Sequence, residues 1–546
     1  MGYAHEYARA VLHRGRVPME PADHVVNWDD SPRRGKYYPH AETFALPGTE
    51  DLADVPVAPG LLPGSAGTTD ADGVPGFGLT LLSAMLKDSY GLTGRRLGIQ
   101  ANTDLAGLPY YQHANWSRGT AGGGGLYPVS IHWASGPSGP LVPGLHYYDV
   151  HRHAVQRLLA GDVTGTVHEA LGPDAPRAAL DTDQYLILGV KYWQNSFKYN
   201  SFSFHVVCTD LGTLVQTWRV WARARGLRIS PVLWFDEPRL NDLLGVPGED
   251  EGIFAVVPLR WGGTPPRTGN DIRDVVRRGQ GHRPTVRHRD AERSRTLLDF
   301  TALTDMHTAT LEDATRHPPA GALAAAAPFA IRTAPDAARV PLPEPALPES
   351  GVRRALRERR SSFGRFDARR AVDAGPLSSV LAACAGTGLV EDTDPCGPDR
   401  LTRLYVFVNH VAGIEPGAYA YDPDGCLLRL VVPGPQGTFL QENYFLANYN
   451  LEQAGAVLVP TVRTRTVLDV LGDRGYRLAI GTVGAVAQSF YLAASVLGLG
   501  AGVALGFDNV SFAERLGLSD TDESPLLIMA LGHERPDPAD FRHEIV

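Results

Sequence analysis

The chain is poor in lysine. Among its 546 residues lysine occurs only at Lys36, Lys87, Lys191 and Lys198; all other basic residues apart from histidine are arginine. A lysine inside a motif is therefore less easily an accident of composition. Cysteine is scarce as well: Cys208, Cys384, Cys396 and Cys426 form no C-x-x-C pair. At this length they imply no disulfide framework, and a reducing cytoplasm is the simplest setting. The HEALG stretch, His168–Gly172, has no second histidine at helical spacing, so a zinc-hydrolase signature is absent. No G-x-G-x-x-G follows a strand-like run, which argues against a Rossmann nicotinamide domain. The opening MGYAHEYARAVLHRGRV lacks the apolar core of a signal peptide. Long uninterrupted apolar runs are missing too, so the expectation is a cytoplasmic chain that does not span a membrane. The net charge of −9 exerts no global pull toward nucleic acid.

With 43% hydrophobic and 20% charged residues, the chain has enough apolar side chain for a sizeable core. Its length suits roughly three domains, or two large ones. Two regions repeat. PGLHYYD (Pro143–Asp149) matches PGAYAYD (Pro416–Asp422), each followed by a turn and an apolar run, as in a hairpin. DLGTLVQTWRVWARARGLR around Gly212 matches TVGAVAQSFYLAASVLGLG around Gly484, with apolar residues at helical spacing. LWFD matches LGFD, and DLLGV matches ERLGL. From the helix onward the matched positions stay 272 residues apart. A constant offset across a helix, a strand and a second helix marks a duplicated domain, far longer than a solenoid period. The expected organisation is an extension over 1–43, a first domain over 44–262, a linker over 263–350 and a second domain over 351–546. The linker holds an Arg/His run, RDVVRRGQGHRPTVRHRDAERSR, which reads as a solvated connector or as a grip for an acidic peptide or RNA. A short helix is expected over Leu297–Ala314, then Pro/Ala-rich sequence.

The two copies carry different motifs. The second holds ERRSSFGRFD (Glu358–Asp367), followed by the helix-like PLSSVLAACAGTG. Guanidinium groups bind phosphate oxygens with paired charge-assisted hydrogen bonds, and a serine hydroxyl adds a donor. Alone, the cluster also reads as a helix end with a capping serine. The first copy holds RGTAGGGGLYP (Arg118–Pro128) before the apolar strand VSIHW. Four glycines let a backbone approach a planar ring closely and take positive φ; a plain hairpin bend is the alternative. The corresponding CGPDRLTRLYVFV of the second copy lacks the glycines. The first copy has only the Pro/Gly-rich stretch Pro56–Phe77 where the arginines would stand.

This order of motifs, with G-D-R-G-Y-R and G-F-D in the second copy and the lead-in WDDSPRRGKYYPHAETFALP, resembles the nitroreductase-fold flavoproteins. Within them it is most similar to the SagB-type dehydrogenases, which oxidise peptide thiazolines and oxazolines to thiazoles and oxazoles. The resemblance implies an α+β fold: two tandem nitroreductase-like domains forming an intramolecular pseudo-dimer. It implies FMN, with the phosphate clamp from one domain and the ring loop from the other. The clamp is then Arg359, Arg360 and Ser361, with Arg365 standing in for a basic residue the family usually has where this chain has Phe363. The ring loop is Gly123, Gly124, Gly125, Leu126 and Tyr127. Leu505, Gly506 and Phe507 lie at the ring edge, with backbone N–H groups toward flavin N5 or O4. Arg535 and Arg477 are further phosphate or fold-stabilising candidates.

The family's azoline-oxidising members carry a Lys-Tyr pair that aligns with Lys198 and Tyr199; Lys191-Tyr192 is out of register. Azoline oxidation removes a hydride, to flavin, and a proton, to a base that Lys198 or Tyr199 would supply. Packing and a surface salt bridge are the plainer reading of that pair. His205 and His533 read as ordinary polar residues. The function implied is an FMN-dependent azoline dehydrogenase acting on a ribosomally made peptide. Alternatives are another flavin-dependent peptide dehydrogenation, an NAD(P)H-dependent nitro or enone reductase, or a scaffold of a peptide-cyclising complex. A peptide substrate, a cyclodehydratase partner and pairing of the fused chain with a second copy are the associations implied; nucleic acid and membrane are not among them.

Overall fold

The computed structural model describes residues 2–62, 76–100, 110–111, 115–262, 284–331, 337–389, 400–536 and 540–545. Most of the Pro56–Phe77 stretch, much of the Arg/His run, and Cys396 with the residues beside it lie outside these. The remaining cysteines, Cys208, Cys384 and Cys426, are unpaired.

Apolar runs such as YLILGV and AVLVP are buried on both faces and become central strands. Around the first grows a six-stranded antiparallel sheet. Its order is Glu42–Ala45, Ala154–Ala160, Gly144–Asp149, Val129–Ser135, Gln184–Lys191 and Glu251–Pro258. The second sheet runs Arg339–Pro341, Leu427–Pro433, Gly417–Asp422, Thr402–Val408, Ala456–Arg463, Ile528–Gly532 and Gly500–Ala504, with Glu523–Pro525 also on Ala456–Arg463. The two matched PG-x-x-x-Y-D segments are the third strand of each. Register is matched as well: Val129 faces Val190 and Ser135 faces Gln184 in one sheet, and Thr402 faces Val462 and Val408 faces Ala456 in the other. A small third sheet ties the two ends of the chain together, since Asp540–Glu544 pairs antiparallel with Gly94–Gln100.

The repeated helical segments become Ser203–Arg223 and Gly475–Val496, each buried almost throughout. They pack on each other through their glycines. A Cβ on Gly212 would fall inside the Gly481 carbonyl, and one on Gly484 inside the Thr209 carbonyl. Backbone therefore meets backbone at two repeat-related points, which only glycine permits. Gly475–Val496 is, among the described residues, the one helix long and apolar enough to cross a membrane, but 89% of its most apolar window is buried inside the protein. Packing against the other long helix accounts for its composition.

Part of the stretch expected as a linker is built into the core. The helix there is Thr301–Ala309, shorter than expected, and it buries Leu303, Met306 and His307. Upstream, Asp290 and Glu292 each lie 2.6 Å from the Lys191 Nζ. The out-of-register lysine is thus a tether for this segment. The N-terminal extension forms a helix, Tyr3–His13, with Tyr7 and Val11 buried. Its following residues cross onto both halves: Ser201 donates to the Glu20 carbonyl, and Arg16 Nε pairs with Asp508 at 3.1 Å.

Candidate active site

The glycine loop of the first half is held by side chains of the second. Arg359 leaves the helix Val352–Glu358 and donates from Nε to the Gly119 carbonyl (2.8 Å) and from Nη2 to the Arg118 carbonyl (3.1 Å). Gln488, on the long helix of the second half, accepts from Ala121 N–H at 3.0 Å and donates to the Gly119 carbonyl at 3.2 Å. The base of the loop is therefore fixed across the junction of the two halves. Its tip is fixed from within the first half, where Gly123 N–H donates to Asp210 at 2.7 Å. Gly124 and Gly125 take φ of +60° and +67°, and Tyr127 takes +52°. A Cβ on Gly124 would stand 2.5 Å from both the Lys198 Nζ and the Tyr199 hydroxyl, so a side chain there would push this pair aside, on a backbone whose φ of +60° already favours glycine. A Cβ on Gly125 would meet nothing within 4 Å, so that side of the loop is open.

Lys198 and Tyr199 close the short helix Trp193–Tyr199. The Lys198 ammonium lies 5.6 Å from the Trp28 ring centroid and 5.1 Å from that of Tyr199. Burial, and then the Arg34 guanidinium, hold its pKa below the ordinary lysine value. Burial and the charge of Asp210 raise the Tyr199 phenol above its usual range. The structure thus brings the ring loop, the Lys-Tyr pair and Arg359 into one connected region.

The other clamp residues gather around it. Arg360 pairs with Glu534, and Ser361 shares a hydrogen bond of 2.8 Å with the Tyr491 hydroxyl, whose ring lies 5.2 Å from the Arg359 guanidinium. The Arg365 carbonyl accepts from Arg535 N–H at 2.7 Å, which places those two arginines together. Phe363, which stands where the resembling family usually has a basic residue, stacks on Tyr449 with centroids 5.3 Å apart.

The turn Leu505–Phe507 corrects one expectation. Phe507 N–H is used within the turn, donating to the Leu505 carbonyl at 3.1 Å, so it is not aimed at a ligand. Gly506 N–H makes no hydrogen bond among the described residues. Around the turn, Phe445 N–H donates to the Gly506 carbonyl at 2.9 Å, and Arg14 from the N-terminal extension donates to the Leu505 carbonyl. Arg477 does not face this region. It is fully buried on Glu237 at 2.9 Å, so the phosphate reading of that residue falls and the fold-stabilising one stands. His205 sits in the core, 2.8 Å from the Tyr476 hydroxyl.

Asp210, Gln488 and Arg14 were not foreseen. Asp210 had a visible signal: it is the one carboxylate of the helix Ser203–Arg223, two residues before the packing glycine. Burial pushes its pKa up to about 7, with the Gly123 N–H bond working the other way. Its Oδ2 is buried without a partner. The folded protein therefore binds this proton more tightly than the unfolded chain, and stability falls as pH rises from about 4 to about 7. Asp210→Asn keeps an acceptor for Gly123 and removes the charge. The variant should gain on the parent in thermal midpoint as pH rises through that window, and a pH-independent difference would count against this account.

Three comparisons with known proteins bear on the fold. Residues 356–533 match the nitroreductase family model. A curated relative from Methanocaldococcus jannaschii is 33% identical over 137 residues, 24% of this chain and 65% of the relative's own length. A crystal structure from Anabaena variabilis is 21% identical, covers 98% of this chain and 100% of its own, and has a TM-score of 0.69. Both carry the name "putative nitroreductase". The E. coli microcin synthetase McbBCD complex matches at 18% identity over 31% of this chain and 67% of that one, with a TM-score of 0.27 that is too low to carry an argument. Residues 356–533 are thus a nitroreductase-family domain, in a chain whose overall fold is nitroreductase-like.

Proposed function

We propose that the chain is an FMN-dependent oxidase that dehydrogenates thiazoline or oxazoline rings to thiazoles or oxazoles in a ribosomally made peptide. On this reading the two halves are an intramolecular pseudo-dimer that builds one composite flavin site. The observation that carries it is the position of the glycine loop. Its base is gripped by Arg359 of one half, and its tip meets Lys198 and Tyr199 of the other.

The residues present suit the cofactor. Arg359, Arg360, Ser361 and Arg535 are donors for a dianionic phosphate. The open side of Gly125 and the unbonded Gly506 N–H suit a planar, hydrogen-bonding ring edge. FMN, when bound, would supply the hydride acceptor. Lys198, whose pKa burial and Arg34 lower, would take the proton from the ring carbon, with Tyr199 beside it. Asp210 would hold the loop at the height at which its glycines face the ring.

The purified full-length chain should be yellow and release FMN in a ratio of one per chain, and it should convert an azoline peptide to the azole with oxygen as the oxidant. Two flavins per chain would defeat the composite site. Rapid bleaching by NADPH alone, with no azoline turnover, would favour a nitro or enone reductase. Colourless protein that cannot be reconstituted with FMN would favour a scaffold.

A further inference from the structure

A small cavity of about 10 Å³ lies between the ends of the glycine loop and the first sheet. Arg118, where the loop begins, and Tyr127, near where it ends, both line it, together with Arg34, Tyr90 and Tyr148. No carboxylate lines it. The Arg118 side chain is 3% exposed, and its Nε has no hydrogen-bond partner. Its guanidinium packs instead in the corner of two rings set edge to face, 4.6 Å from the Tyr90 ring centroid and 4.3 Å from that of Tyr127. Arg34 is exposed. Among the described residues, neither guanidinium makes a hydrogen bond or ion pair.

The carboxylates in the neighbourhood are committed elsewhere. Asp149 pairs with Arg152 at 3.2 Å, Asp88 with Arg353 at 3.1 Å, and Asp210 accepts from Gly123. A buried guanidinium without a counter-charge carries a desolvation cost that two aromatic faces offset only in part. A second arginine beside it adds repulsion, and an anion between them relieves both.

We propose that Arg34 and Arg118 form a subsite for a carboxylate, borne by the substrate next to the ring that reacts. The size of the cavity selects this chemistry. It holds about one water-sized group, which suits one oxygen of a planar carboxylate on an arginine fork and not a tetrahedral phosphate. Its place selects the bearer, because the loop whose ends flank the cavity touches Lys198 at its tip. That a peptide carries the carboxylate rests on the proposed oxidase reading; the anion site itself does not.

Saturation-transfer NMR on the flavin-loaded full-length chain tests both parts. Sodium acetate should bind saturably, its neutral isostere acetamide should not, and inorganic phosphate should bind more weakly than acetate. Arg34→Gln should weaken acetate about tenfold, the loss expected for one charge-assisted hydrogen bond, and Arg118→Gln should abolish it. Arg118 props two tyrosines, so the surface variant Arg34→Gln keeps the test decisive if Arg118→Gln unfolds. Equal binding of acetate and acetamide, or acetate binding unchanged in Arg34→Gln, would overturn the site. A short azoline peptide with a free carboxylate should displace acetate where its amide does not. Acetate binding that neither peptide displaces would overturn the assignment to substrate. Loss of azoline turnover with acetate binding intact would speak against the oxidase reading alone.

Discussion

Lys198→Ala should keep its flavin and lose azoline oxidation, with kcat falling about 10²–10⁴-fold, the range for removal of a general base. The expectation comes from position. The Lys198 Nζ borders Gly124, where a Cβ would stand 2.5 Å from it, and no carboxylate pairs with it among the described residues. A lysine kept for an ion pair would look different, as Lys191 does between Asp290 and Glu292. The pH profile separates a base from a prop. Burial and Arg34 lower the Lys198 pKa, so the neutral amine becomes available at lower pH than for a free lysine. Arg34→Gln removes a nearby cation, so the ascending limb of kcat/KM should move to higher pH. Tyr199→Phe should leave that limb in place if Lys198 is the base. Full oxidation by Lys198→Ala, with flavin bound, would end the assignment.

Local pattern made much of this molecule readable. Gln184–Lys191 and Ala456–Arg463 stand 272 residues apart and occupy the same place in their sheets, as do the two long helices. The positive φ of Gly124 and Gly125 was legible, because a run of glycines before Leu-Tyr-Pro has few uses. What sequence did not disclose was every contact made between unlike partners far apart in the chain. Arg14 reaches the Leu505 carbonyl, and Asp540–Glu544 completes a sheet begun at Gly94. Neither has a period or a local spacing that announces it. Helix Thr301–Ala309 was visible as a helix but not as core, because its buried face includes His307, a residue that composition assigns to the surface. Asp210 was visible as a carboxylate beside the packing glycine, but nothing local tied it to the Gly123 N–H that it accepts from.

Glu237→Gln should be among the most destabilising single changes in the chain, although it lies in neither motif. Its carboxylate is fully buried and gathers groups from three regions. Oε2 accepts from Arg474 at 3.0 Å and Arg477 at 2.9 Å; Oε1 meets His307 at 2.9 Å and Ile253 N–H at 2.9 Å. Burial alone would raise its pKa, but Arg477, the His307 hydrogen bond and Arg474 outweigh that and hold it well below the usual carboxylate range. The two arginines come from the second half, Glu237 from the first, and His307 from the segment between them. Removing the charge leaves two buried guanidinium groups with carbonyls and a hydroxyl but no anion. Breaking such a cluster costs about 3–5 kcal/mol, which for a unit of this length corresponds to a fall in thermal midpoint of roughly 3–5 °C. The sign with pH follows from the lowered pKa. This contribution is complete above the unfolded carboxylate value and is lost as pH falls below it toward the folded one, so the gap between variant and parent should narrow in acid. A cycle with Arg477→Met tests the coupling. In that background Glu237→Gln should cost less, because one of the stranded cations is gone. Strictly additive losses would mean that the four groups stabilise the junction separately, and that the charge cluster is not what holds the halves together.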